Sequence, residues 1–206
     1  AAIQCGADVI LALTPCYYKA RMDSPALIAH FRRLADELPR PLVIYNIPQF
    51  TGVRMAPEAL AALSRHPNII GLKESSGDLA YVRSILRVVR KGFRVVVGAP
   101  VIFLDALRAG AAGAVLGLAN FAPEICVGIY EAFHRRQIKL ARDLQRRLAL
   151  LAQKISIPYG VPGVKAALDL CGYAGGPPRA PLKPLPAAAR REVAAALREA
   201  RAGLEF

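Results

Sequence analysis

Short apolar runs alternate with longer segments of helical spacing along the first two thirds of the chain. Residues 9–13, 41–47, 69–74, 94–98 and 114–118 read as strands. Between and after them, residues 24–38, 56–64, 78–89, 100–109 and 122–133 repeat apolar positions on one helical face. Ser24 is placed to cap the first helix, with Pro25 at its first turn. Strands that are apolar nearly throughout, separated by helices, belong to a parallel sheet covered on both faces. The pattern therefore predicts an α/β fold of five βα units. After Arg136 the alternation stops, and residues 138–155, 161–171 and 186–202 read as three successive helices. Proline and glycine punctuate their connections, most densely over residues 172–181.

Composition changes this picture little. Of the 206 residues, 54% are hydrophobic, enough for a sizeable core, but alanine inflates the figure. No window offers the roughly 18 uncharged apolar residues that a membrane-spanning helix needs. The formal charge of +13 raises the question of nucleic acid. Much of that charge lies on helices such as 134–147, where arginines alternate with an apolar stripe, the pattern of a solvated face. No nucleic-acid partner and no membrane partner is expected. Cys5, Cys16, Cys126 and Cys171 are widely spaced, which reads as reduced thiols in a cytoplasmic protein, with neither a disulfide framework nor a zinc site. His30, His66 and His134 fall in helices or loops and share no motif.

The chemistry concentrates at strand ends. Ile69-Ile70-Gly71-Leu72-Lys73 is an apolar strand carrying one amine near its end. Desolvation there disfavours the ammonium form, and free amine is what Schiff-base chemistry on a carbonyl requires. The plainer reading is a lysine that snorkels to solvent. Tyr45 ends the preceding strand, followed by Asn46-Ile47-Pro48, and Gly98 ends the next, where a bare backbone admits a ligand. Repeating βα units bring these ends to one face.

Tyr45-Asn46-x-Pro48, Gly71-x-Lys73-Glu74 and Gly98, at these spacings, resemble the dihydrodipicolinate synthase / N-acetylneuraminate lyase family of pyruvate-handling class I aldolases. The resemblance implies a (β/α)8 TIM barrel, here covering strands 4 to 8, in residues 1–136, with a C-terminal three-helix extension in residues 137–206. It implies Lys73 as the Schiff-base nucleophile and Tyr45 as the proton donor and acceptor, with no metal or cofactor. In the family a Thr-Pro-x-Tyr segment sends a tyrosine across a subunit interface. Tyr17 and Tyr18 are both candidates here, Tyr17 by motif position, and two aromatics packing an interface is the plainer alternative. Ser75, two residues past Lys73, points the same way by strand geometry. Gly98 and Val115 match positions that line the pyruvate pocket, and Tyr18 is a further substrate-side candidate.

Two departures shape the expected substrate. The family's carboxylate-binding pair lies on the third strand, outside this sequence, and a barrel needs eight strands in about 250 residues. The sequence is therefore expected to be a fragment, or an inactive relative. The synthases also carry an arginine two residues after the proline of Tyr-Asn-x-Pro, and this chain has Phe50 there, with Arg54 nearby. Thr14-Pro15-Cys16-Tyr17-Tyr18, Arg21-Met22 and the 172–182 segment look most like the 4-hydroxy-2-oxoglutarate aldolase branch. Cleavage of that keto diacid to pyruvate and glyoxylate is the leading expectation. Synthesis of 4-hydroxy-tetrahydrodipicolinate, or another sugar-acid lyase activity, is the alternative. The family implies a homotetramer built as a dimer of dimers.

Overall fold

The computed structural model describes residues 2–204. The chain forms two compact units, one ending at Val115 and the other beginning at Leu116.

In the first unit five strands form one parallel sheet in sequence order: β1 (Ile10–Leu13), β2 (Leu42–Asn46), β3 (Ile69–Glu74), β4 (Arg94–Val97) and β5 (Gly113–Ala114). Parallel neighbours need crossovers, and helices provide them. These are α1 (Ser24–Glu37), the short α2 (Pro48–Thr51) with α3 (Pro57–Ser64), α4 (Leu79–Val88) and α5 (Phe103–Ala109). Leu42, Ile44, Leu72 and Val95 point from the sheet into this helical layer and meet Leu27, Phe31, Leu60, Leu63 and Ile85. Most of these side chains are fully buried, which contributes roughly 1.5–3 kcal/mol each. Alternation sends the intervening residues to the opposite face. That face is open in this chain: Leu11, Leu13 and Val115 are each about half exposed.

The first helix is capped by Asp23, whose carboxylate accepts from the Ala26 amide at 2.9 Å. This corrects the expectation of Ser24, which starts the helix, with Pro25 one place further in. The fifth strand is also shorter than the expected 114–118. It ends at Ala114, and Gly117–Asn120 closes into a 3-10 turn. Apolar content alone made those residues look extended. The short helix α2 begins at Pro48 directly after β2, and its four residues are too few to show helical periodicity in the sequence.

The second unit is helical: α6 (Pro123–His134), α7 (Ile138–Leu151), a π-helical turn (Ala152–Ser156), α8 (Ile157–Leu170) and α9 (Ala187–Arg201). Ile125, Ile129, Leu144, Leu148, Ile155 and Val193 are buried within it. Helix α8 kinks at Gly160 (φ 53°), two residues before Pro162, which has no N–H to continue the ladder. Among the described residues no helix is long and apolar enough to cross a membrane.

Candidate active site

The register places the strand ends side by side. Leu13 pairs with Tyr45, Tyr45 with Lys73, Lys73 with Val96, and Val96 with Gly113. Tyr45 and Lys73 therefore leave the sheet on the same face, away from the helices. Lys73 Nζ lies 4.2 Å from the centroid of the Tyr45 ring. The amine is half-buried, with the phenol ring as its flank.

Two residues further on, Ser75 and Gly98 complete the constellation. A Cβ at Gly98 would stand 1.8 Å from Ser75 Oγ and 3.2 Å from Lys73 Cε. Any side chain at 98 would displace the serine hydroxyl, so glycine is demanded by space. Ser75 is buried, and its Oγ has no hydrogen-bond partner among the described residues. A buried, unpaired hydroxyl beside an amine is a group held ready for a ligand atom. Val115 follows β5, its amide donating to the Val97 carbonyl at 2.9 Å, and its side chain is 52% exposed. Tyr17 and Tyr18 sit in the loop after β1, stacked edge to face at 4.9 Å, and both are largely exposed. The fold thus gathers Lys73, Tyr45, Ser75 and Gly98. It leaves the two loop tyrosines projecting outward.

The loops above the site are tethered. Gln49 Nε2 donates to the Ser75 carbonyl at 2.7 Å, tying the turn after β2 to the turn after β3. Arg54 is held by Asp78 at 2.8 Å and lies over the Tyr81 ring at 4.0 Å. Its guanidinium keeps the Asp78 carboxyl below its ordinary value. Phe50 itself is 82% exposed. A different cation reaches this loop: a Cβ at Gly52 would lie 3.0–3.1 Å from Cδ, Cε and Nζ of Lys19.

Behind the Tyr45–Lys73 row runs a second row facing the helices, containing Thr14, Asn46 and Glu74. All three are essentially inaccessible. Asn46 pairs with Glu74 in register, and Asn46 Nδ2 donates to Glu74 Oε1 at 3.2 Å. Burial pushes the Glu74 carboxyl above its ordinary value, against the opposing pull of its hydrogen bonds from Ser76 and Asn46. A carboxyl raised on folding binds more protons in the native state than in the unfolded one. Its stabilising contribution is therefore complete below the ordinary carboxyl pKa and is lost as pH rises toward the raised value. Glu74→Gln should remove this loss, so that denaturant midpoints for wild type and variant diverge as pH rises above the ordinary carboxyl value. Parallel curves would show that Glu74 ionises in the folded protein as easily as in the unfolded chain. Asn46 and Glu74 stood inside recognised motifs, but their pairing was missed. The available signal was a polar residue at a helix-facing position of a buried strand.

Among the described residues no group of three or more His, Cys, Asp or Glu is placed to hold a metal ion.

A five-stranded parallel sheet in sequence order, with helices at its crossovers, defines an α/β fold consistent with part of a TIM barrel. The model for the dihydrodipicolinate synthetase family matches residues 1–200, and the chain belongs to that family. It is 40% identical over 181 residues to a 4-hydroxy-tetrahydrodipicolinate synthase from Methanoculleus marisnigri, which covers 87% of this chain and 61% of that protein. A synthase of the same name from an Exiguobacterium species is 36% identical, covering 96% of this chain and 67% of the relative. A prophage protein of the family from E. coli K12, solved in complex with pyruvate, superimposes on 97% of the chain and 68% of its own, with a TM-score of 0.90 at 27% identity. The chain thus spans about three fifths to two thirds of the length of these relatives. The two curated relatives both carry the synthase name.

Proposed function

We propose that the protein condenses pyruvate with an aldehyde through an imine on Lys73, and that aspartate semialdehyde is the aldehyde, giving 4-hydroxy-tetrahydrodipicolinate synthase activity. The observation that carries this reading is Lys73 Nζ beside the Tyr45 ring, with Ser75 Oγ and bare Gly98 next to it. Lys73 attacks the ketone carbon of pyruvate. Tyr45 protonates the carbinolamine oxygen, water leaves, and the iminium draws electrons from the neighbouring C–H bond. The Tyr45 phenolate takes that methyl proton, leaving an enamine whose carbon attacks the aldehyde. The phenol returns the proton to the new alkoxide. The semialdehyde's amine then displaces Lys73 from the imine, closing the ring and freeing the lysine amine. Ser75, Gly98 and Val115 line the substrate, while the outward-facing Tyr17, with Tyr18 beside it, relays protons across a subunit boundary in a homotetramer. In this reading residues 1–136 carry the site and residues 137–206 are the helical extension of a cytoplasmic enzyme. Borohydride reduction with pyruvate, followed by peptide mass spectrometry of the full-length protein, tests it. A pyruvate-derived adduct on the Lys73 peptide is expected, and an unmodified peptide rejects the proposal.

A second reading is cleavage of 4-hydroxy-2-oxoglutarate. Phe50 in the arginine's place favours it, as does Arg54 being committed to Asp78. Relative kcat/KM for condensation and cleavage decides between the two, and Lys19 tests how the semialdehyde is held. If its ammonium over Gly52 grips the semialdehyde's carboxylate, Lys19→Met should raise KM for the semialdehyde roughly tenfold, the usual worth of one charge-assisted hydrogen bond. KM for pyruvate should hold. An unmoved KM, together with higher kcat/KM for cleavage than for condensation, would transfer the assignment to the second reading.

A further inference from the structure

The helix-facing row behind the site does more than fill space. Asn46 and Glu74 directly follow Tyr45 and Lys73, on the last paired residues of β2 and β3. One side-chain hydrogen bond joins them across the strands at 3.2 Å. Each also holds a separate loop. Asn46 Oδ1 accepts from the Met55 amide at 3.2 Å, and Glu74 Oε1 accepts from the Ser76 amide at 2.8 Å. Backbone bonds continue the same bracket: the Ser75 amide donates to the Asn46 carbonyl at 3.0 Å, and the Gly98 amide to the Glu74 carbonyl at 2.7 Å. Every residue gathered at the site is therefore bonded to this pair or adjacent to it in sequence.

Beyond Asn46 and Glu74 the ladder ends and both chains turn away. Sliding or splaying of the strand ends would be absorbed at this point, and it would move the phenol relative to the amine. An ordinary apolar pair could pack here but could not fix the spacing of four polar groups.

We propose that Asn46 and Glu74 form a positioning pair, setting the Tyr45 phenol against the atoms bonded to Lys73 Nζ and fixing the loop that presents Ser75. The pair touches no substrate and acts through its neighbours. This inference rests on the imine chemistry proposed above.

The test is a double-substitution cycle in the full-length protein. Asn46→Ser is too short to reach Glu74, and Glu74→Leu cannot accept. Each should lower kcat by about 10²-fold, the cost of roughly 1 Å of misplacement, with KM for pyruvate changed only a few-fold. The double variant should be faster than the product of the two single losses, because the singles share the Asn46–Glu74 bond while each also frees its own loop. Glu74→Gln keeps the accepting oxygen and should retain most of the turnover. Thermal midpoints measured alongside separate the effect from folding: a purely structural pair would lose active protein while its folded fraction kept normal kcat. Losses that multiply across the pair, a Gln variant as slow as the Leu variant, or single variants within threefold of wild type would each overturn the proposal. Borohydride trapping of the unaltered protein reads out the underlying chemistry independently. Absence of a Lys73 adduct there rejects both the chemistry and the pair's role in it. Trapping by the unaltered protein with equally fast turnover in every variant rejects the pair alone.

Discussion

Lys73→Arg should leave the protein folded and charged but reduce turnover to the uncatalysed background, with no borohydride-trapped pyruvate on any peptide. Arginine is the informative replacement because it keeps a cation over the Tyr45 ring, where Lys73 Nζ now sits 4.2 Å from the centroid. What it removes is the free amine, since guanidinium does not deprotonate in proteins. An electrostatic role for Lys73, such as holding a carboxylate, would survive the change in large part. An imine role would not. Trapping pyruvate on the wild type and the variant under identical conditions, with circular dichroism to confirm folding, distinguishes them. Adduct formation on another lysine in the variant, with turnover retained, would move the nucleophile elsewhere and overturn the assignment.

Tyr45→Phe should cut kcat by about 10²–10⁴-fold, the usual worth of a positioned acid–base group. The ring pairs with Lys73 in register and packs beside its amine, and phenylalanine preserves both features. Pyruvate binding should therefore weaken far less than turnover. The slowest step should become loss of water from the carbinolamine, visible as slower build-up of the trappable imine after mixing with pyruvate. Near-normal turnover would make the hydroxyl dispensable and Tyr45 a packing residue.

Much of this arrangement could be read from the chain. The apolar strands announced a parallel sheet because a strand covered on both faces has no polar side to show. The strand carrying Lys73 was expected at residues 69–74 and is found at Ile69–Glu74. The start of α3 at Pro57 and the cap at Asp78 follow from local backbone chemistry that any context would respect. Lys73, Tyr45 and Gly98 stood out because an amine, a phenol and a bare backbone at successive strand ends are unusual against such apolar runs. The motifs around them also led to the family that the comparisons bear out.

Other features needed the third dimension. No local rule says that Arg54 closes on Asp78 rather than turning toward Phe50, because that choice depends on where the start of α4 comes to lie against the loop after β2. The approach of Lys19 to Gly52 joins residues more than thirty apart. The fit of Ser75 Oγ into the space a side chain at 98 would take depends on how β3 and β4 are spaced. The Asn46–Glu74 bond is the clearest case. Each residue by itself is a polar intrusion in a buried strand, and only the register of two parallel strands makes the intrusions partners. The sequence by itself determined the elements, their order and the reactive strand ends, because propensity and burial act over a few residues. Tertiary structure decided which polar groups satisfy one another, because a hydrogen bond depends on tenths of an ångström between segments that the chain brings together only on folding.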